Sequence, residues 1–175
     1  SVDEACLFDN KTNKIICCVN AGVQQYSIPA AVKSIEEGAF FSCRYLTKVV
    51  IGNAVTCIGD SAFAFCEMLR SVEIGNSVTS IERHAFMFCE LLQCIKIPNS
   101  VKNIGERAFQ NCSSFRHIDI PGSVECIGAG AFKDCCCLQS VVLPDSLTCI
   151  GDDVFNGCVS LQSIVIPIGT KSKFE

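Results

Sequence analysis

The chain's 175 residues are one ordinary domain's worth, and 49% hydrophobic with 18% charged residues is the composition of a chain that folds rather than of a disordered one. A net charge of −4 and a pI near 5.2 give no general attraction to phosphate backbones or anionic lipid, which excludes nucleic acid as an expected partner. Apolar runs such as Val49-Val50-Ile51 end well short of the roughly 18 to 20 residues that cross a bilayer, and Ser1-Val2-Asp3-Glu4 carries no basic start or apolar signal core, so any secretion signal is expected outside this stretch.

In chain order, Cys6-Leu7-Phe8 and Ile15-Ile16-Cys17-Cys18 flank the turn-like Asp9-Asn10-Lys11-Thr12-Asn13, the pattern of a β-hairpin. From Ile28 the chain becomes periodic. Ala-Phe recurs at Ala39-Phe40, Ala62-Phe63, Ala85-Phe86, Ala108-Phe109 and Ala131-Phe132, then as Val154-Phe155, each 23 residues after the last. Three residues beyond each Phe stands a cysteine: Cys43, Cys66, Cys89, Cys112, Cys135 and Cys158. Next come Leu46, Leu69, Leu92, Phe115, Leu138 and Leu161, then Val49, Val72, Ile95, Ile118, Val141 and Ile164, then Ile51, Ile74, Ile97, Ile120, Leu143 and Ile166. The last two positions alternate with polar or variable ones, the period-two signature of a strand with one buried face, and Gly or Pro follows. Each repeat is therefore read as one short strand. After the turn, Val55, Val78, Val101, Val124 and Leu147 precede Ile58, Ile81, Ile104, Ile127 and Ile150, and Gly59, Gly105, Gly128 and Gly151 come next. A glycine there is expected to supply positive φ before an Ala-Phe segment forming a single helical or 3₁₀ turn.

A unit with one strand and one return segment cannot bury its apolar face alone, so units must stack side by side into a solenoid. The pattern L-x-x-I-x-I-P-x-x-V-x-x-I-G-x-x-A-F-x-x-C resembles the leucine-rich repeats of the BspA-like, or Treponema-type, class over roughly Ile28 to Pro167. The fold class expected is an α/β leucine-rich-repeat solenoid, mostly β, right-handed and of about six coils, with a parallel sheet on its concave face and short helical or 3₁₀ return segments. Residues 1–27 are read as an N-terminal cap, a reading the resemblance supports because similar starts precede an entry like Tyr26-Ser27-Ile28-Pro29. Residues 28–167 are the repeats, and 168–175 a partial C-terminal cap or tail. The departures at Phe115, Val154 and the Gly-for-Pro positions are expected to leave the fold untouched.

Fifteen cysteines would suit a disulfide scaffold, but six of them share one coil position, which points to a column of reduced structural thiols. Side chains stacked about 4.8 Å apart point the same way, whereas a disulfide wants Cβ atoms roughly 3.8 Å apart. A straight row also cannot converge on a metal, and Cys135-Cys136-Cys137 is too linear for a zinc knuckle, so no metal and no cofactor is expected. Off the column, Cys57, Cys126 and Cys149 share a position, and Cys126 with Cys149 is the pair placed to oxidise.

Residues flanking the first Val or Ile of each strand project outward and form columns. One runs Lys48, Ser71, Cys94, His117, Ser140, Ser163; a second Val50, Glu73, Lys96, Asp119, Val142, Val165; an edge column Thr47, Arg70, Gln93, Arg116, Gln139, Gln162. Charge concentrates centrally, so Lys48, Arg70, Glu73, Lys96, Arg116, His117 and Asp119 are the candidate partner-binding residues. Against this stands a bland reading, in which Glu73, Lys96 and Asp119 alternate in sign merely to offset repulsion between in-register strands. With no Trp and two Tyr, aromatic interface anchors are scarce. Cys94, His117 and Asp119 form a nucleophile, base and carboxylate on paper, without a pocket or oxyanion hole. His84 reads as an exposed bystander, and Gly128-Ala129-Gly130 lacks the third glycine of a phosphate loop.

The resemblance implies a non-enzymatic cell-surface or secreted module that binds a protein, such as a host extracellular matrix or cell-surface protein, in adhesion. The alternatives are a structural spacer presenting another domain and, remotely, a thiol-dependent enzyme using Cys94, His117 and Asp119.

Overall fold

A computed structural model describes residues 6–18 and 22–166; the tail or partial cap expected over 168–175 lies outside them. The chain opens with β1 (Cys6–Asp9) and β2 (Lys14–Cys18), paired antiparallel around a turn in which Asp9 Oδ1 accepts the Lys11 N–H at 2.9 Å. A disulfide joins Cys6 to Cys18 across the pair. The coils then contribute, in order, β3 (Gln25–Ser27) and β4 (Ser34–Ile35), β5 (Lys48–Ile51) and β6 (Cys57–Ile58), β7 (Ser71–Ile74) and β8 (Ser80–Ile81), β9 (Cys94–Ile95) and β10 (Asn103–Ile104), β11 (His117–Asp119) and β12 (Cys126–Ile127), β13 (Ser140–Val142) and β14 (Cys149–Ile150), and β15 (Ser163–Val165).

Each coil thus carries two strands where the sequence pattern shows one. The even-numbered strands extend β1 and β2 into an unbroken eight-stranded sheet, order β1-β2-β4-β6-β8-β10-β12-β14, parallel after the hairpin. The odd-numbered strands carry the alternating L-x-x-I-x-I run and form the strand face. This face is divided into β3-β5-β7-β9 and β11-β13-β15.

The return segments are not helical, and backbone bonding gives the reason. A helix directs successive N–H groups to residue i−4 and leaves none for a neighbouring coil. Here the donors alternate: Ala62, Ala64 and Cys66 bond back to Gly59, Ser61 and Phe63, while Ser61, Phe63 and Phe65 bond forward to Arg83, Ala85 and Met87 of the next coil. The alternation requires two left-handed residues per coil, at Gly38, Ser61, His84, Arg107, Gly130 and Asp153, and at Ser42, Phe65, Phe88, Asn111, Asp134 and Gly157. Positive φ therefore does not fall at Gly59, Gly105, Gly128 or Gly151, as expected from sequence. Glycine serves close approach there: a Cβ on Gly128 would lie 2.4 Å from the Glu106 backbone nitrogen.

The core is a set of columns. Rings of Phe40, Phe63, Phe86, Phe109 and Phe132 stack at centroid distances of 4.8 to 5.4 Å, and Phe155 closes the row at 5.8 Å. The cysteine column is reduced and buried, and it serves the backbone. Cys66, Cys89, Cys112, Cys135 and Cys158 each donate their thiol to the carbonyl of the preceding coil's Phe, at 3.1 to 3.3 Å. At the last coil the columns surface, leaving Ile164 and Ile166 about two-fifths exposed.

The division of the strand face coincides with Phe115: the solenoid continues through this departure, but one of its ladders is interrupted beside it. Phe115 replaces the column leucine, is fully buried and packs edge-on against Phe109 at 5.7 Å. Beside it, Ser114 N–H bonds to Glu90 O at 3.0 Å, a contact without a counterpart among the described residues of the other coils. The regular rung, in which Thr47 bonds to Gln24, Arg70 to Thr47, Gln139 to Arg116 and Gln162 to Gln139, is missing at Gln93 and at Arg116. A ring in place of leucine on the strand side of a close-packed coil is expected to spread that side, while the opposite ladder is unbroken.

Candidate partner-binding face

Alternation along the odd strands sets the candidate residues on the solvent side, as their outward columns require. Val49, Val72, Ile95 and Ile118 are buried, whereas Glu73, Lys96, Arg116, His117 and Asp119 are exposed. Their charges do not cancel down one column. Glu73 is paired diagonally with Lys48, at 2.6 Å, and Asp119 with His117 of its own strand, at 2.8 Å. Lys96, between Glu73 and Asp119 in sequence register, forms a salt bridge with neither. Lys96, Arg70 and Arg116 have no carboxylate partner among the described residues.

Between β9 and β11, where the Arg116 rung is missing, lies a cleft of about 630 Å³, whose lining includes Gln93, Cys94, Lys96, Arg116, His117 and Asp119. A smaller recess of about 350 Å³ adjoins it, lined by Gln93, Ser114, Arg116 and Cys137. The face is therefore not the featureless open sheet that period-two alternation implies. Its concavity lies where its charge is concentrated.

The paper triad does not assemble. His117 engages Asp119 through Nε2 and meets the Ser140 hydroxyl at 3.4 Å through Nδ1, so both ring nitrogens are occupied away from Cys94. The ladder that would carry Cys94 beside His117 is the one that is absent. His84 is not an exposed bystander: its side chain is only 14% exposed, with Nδ1 taking the Arg83 Nε–H at 3.3 Å and facing Asp60 at 3.8 Å. Burial holds it below the ordinary histidine range.

Among the thiols, burial pushes Cys43 up to about 11 and raises Cys66, Cys89 and Cys112 as well, so these four stay protonated and unreactive, whereas hydrogen bonding with Cys135 lowers Cys158. Cys17, Cys94, Cys137 and Cys149 are exposed. Cys126 and Cys149 lie in register across β12 and β14 as free thiols, and hydrogen bonding with Cys126 raises that of Cys149. No group of three or more His, Cys, Asp or Glu side chains suited to a metal ion occurs among the described residues.

A surface that composition conceals lies on the return turns of the early coils. Phe65 stacks on Phe88 at 4.8 Å and tilts against Phe41 at 5.4 Å, with Tyr45 and Met68 exposed nearby in sequence register. Phe65 and Phe88 hold φ of 61° and 58°, a conformation in which a bulky residue is an outlier. Later coils fill the same position with Asn111, Asp134 and Gly157. The recurrence of Phe65 and Phe88 at the repeat interval is the signal that marks this ridge. Phenylalanine supplies surface aromatics in a chain with no Trp and two Tyr.

The repeats, columns and sheets agree with what is found in known proteins. The family model of the BspA type leucine rich repeat region matches in six copies, over residues 14–136 and 58–173. No curated protein matches the sequence. Among solved structures, a leucine-rich repeat protein of Treponema pallidum is 30% identical, with a TM-score of 0.85, over 91% of this chain and 78% of that one. A leucine-rich repeat protein from Bacteroides ovatus is 26% identical, with a TM-score of 0.71, over 97% of this chain and 54% of that one. A leucine rich cell surface protein from Faecalibacterium prausnitzii is 26% identical, with a TM-score of 0.66, over 94% of this chain and 53% of that one. By its repeat pattern and its matches over most of its length, the chain belongs to the BspA-type leucine-rich repeat family.

Proposed function

We propose that this chain is a non-enzymatic, cell-surface or secreted module that binds a protein through its strand face, with adhesion to host matrix proteins or other cells as the role. The observation that carries this reading is the cluster of exposed cations beside an open cleft: Arg70, Lys96 and Arg116 have no carboxylate partner among the described residues. Extended solenoid surfaces are binding surfaces, and unsatisfied exposed charge sets partner choice and encounter rate more than it stabilises a fold. A surface location draws support from the similar Faecalibacterium prausnitzii protein described as a leucine rich cell surface protein.

The test is binding to an immobilised panel of host matrix proteins, comparing the chain with a variant carrying Glu73→Lys, Lys96→Glu and Asp119→Lys. The reading expects binding by the native chain and loss in the folded variant. Absence of binding by both, each retaining its melting transition, would overturn the adhesive reading in favour of a spacer that presents another domain.

A further inference from the structure

The break in the strand face is selective, and its chemistry specifies what it can hold. The eight-stranded sheet runs through the same coils without interruption, so the opening between β9 and β11 is confined to one side of the solenoid. Its lining brings together two cations, Lys96 and Arg116, that have no carboxylate partner among the described residues. The one carboxylate of the lining, Asp119, is already engaged by His117 at 2.8 Å. On a chain of net charge −4, this leaves a local site with unneutralised positive charge. Apolar groups of Ile95, Ile97 and Pro121 form part of the floor. The missing rungs also leave the Gln93 and Arg116 backbone N–H groups without the inter-coil acceptor used by their counterparts.

We infer that the cleft between β9 and β11 is an anchor for an acidic side chain of an extended partner segment, received by Lys96 and Arg116. The guanidinium presents a planar donor fork to a carboxylate, the ammonium adds a point charge, and the apolar floor takes the adjoining methylenes. The site rests on the strand-face reading above and narrows it to a partner chemistry.

The probes are immobilised nine-residue peptide libraries with Glu, Gln or Lys at the centre and uncharged residues elsewhere. The expected result is binding to the Glu library about tenfold tighter than to the Gln library, the order of magnitude of two partly exposed charge contacts. Lys96→Glu with Arg116→Glu should remove the preference, and Lys33→Glu with Lys133→Glu should retain it. Equal binding to all three libraries, no binding to any, or a preference that survives the cleft variant while that variant keeps its melting transition would each overturn the inference. The matrix panel separates this failure from failure of the broader reading. Binding lost on Lys48→Glu with Glu73→Lys but kept by the cleft variant would leave the strand face as the binding surface and refute the anchor.

Discussion

The two ladders of this solenoid are built from the same coils and behave oppositely. One contributes only two residues per coil from β4 to β14 and never breaks; the other contributes up to four and is cut between β9 and β11. The shorter ladder is the more continuous because it is bracketed by backbone. Bonds such as Gly105 N–H to Ile81 O and Gly128 N–H to Ile104 O follow each of its strands, and glycine there lets successive coils nearly touch. The longer ladder makes such an approach only at Gly75, where a Cβ would lie 2.5 Å from Gly52 O, and it parts at the coil where Phe115 stands in the leucine column. Close main-chain contact recurs at Gly59, Gly105, Gly128 and Gly151 beside the unbroken ladder, but beside the other only at Gly75, before the break. That asymmetry lets a repeat protein acquire a cleft without losing its fold.

The largest effect is expected where the coils beside the continuous ladder nearly touch, as at Gly128. Gly128→Ala places a Cβ 2.4 Å from backbone rather than from a yielding side chain. It should destabilise by about 3 kcal/mol, at the upper end of ordinary single-site effects, measured as a shift in the urea midpoint. Unchanged stability would show that the coils can slide apart on this side too. A smaller effect is expected in the cysteine column, whose thiols bond the coils from within. Cys89→Ala removes a buried donor to Phe63 O and leaves a small void, for a loss of about 1 to 2 kcal/mol. Alkylation of the native protein followed by peptide mapping should modify Cys17, Cys94, Cys137 and Cys149 and spare the column; modification of Cys89 before global unfolding would contradict its tight enclosure.

The smallest effect concerns the junction of hairpin and ladder. Hydrogen bonding from Ser34, with Lys14 at 3.1 Å, holds the Glu36 carboxyl below its ordinary value of 4.5. A depressed folded value means that this contribution is complete above about pH 4.5 and disappears as pH falls through the lowered folded value. The pair is partly exposed, so the effect is a fraction of that of a buried contact. Glu36→Gln should therefore flatten the acid limb of the melting-temperature profile slightly and leave neutral pH nearly unchanged. A steeper acid limb in the variant would reverse the sign assigned here.

The legibility of this molecule in its sequence follows the strength of its periodicities. The interval from Phe40 to Phe155, the cysteine column and the odd-numbered strands are all visible because identical side chains recur at identical environments. Two-residue strands such as Cys57–Ile58 are invisible because no period-two pattern exists in two residues. The left-handed positions are hidden for another reason. Ser61 and Arg107 have no strong preference for that conformation and adopt it where inter-coil bonding demands it. At the candidate site, the outward direction of Lys96, His117 and Asp119 follows from alternation, whereas Arg116 is exposed at the edge just before β11. The pairing of Glu73 with Lys48 does not, because it runs diagonally across a rung. Phe115 is legible as a substitution, yet its consequence emerges only from the volume of a ring where its counterparts place leucine.

The account turns on Phe115 holding the strand face open, and amide hydrogen exchange at individual residues tests that directly. The account predicts fast exchange at Gln93 and Arg116 against slow exchange at their rung counterparts Arg70, Gln139 and Gln162, with Phe115→Leu restoring protection at both sites while the even-numbered ladder is unaffected. Equal protection at all five amides in the native chain, or a Phe115→Leu variant whose Gln93 and Arg116 still exchange fast, would contradict it.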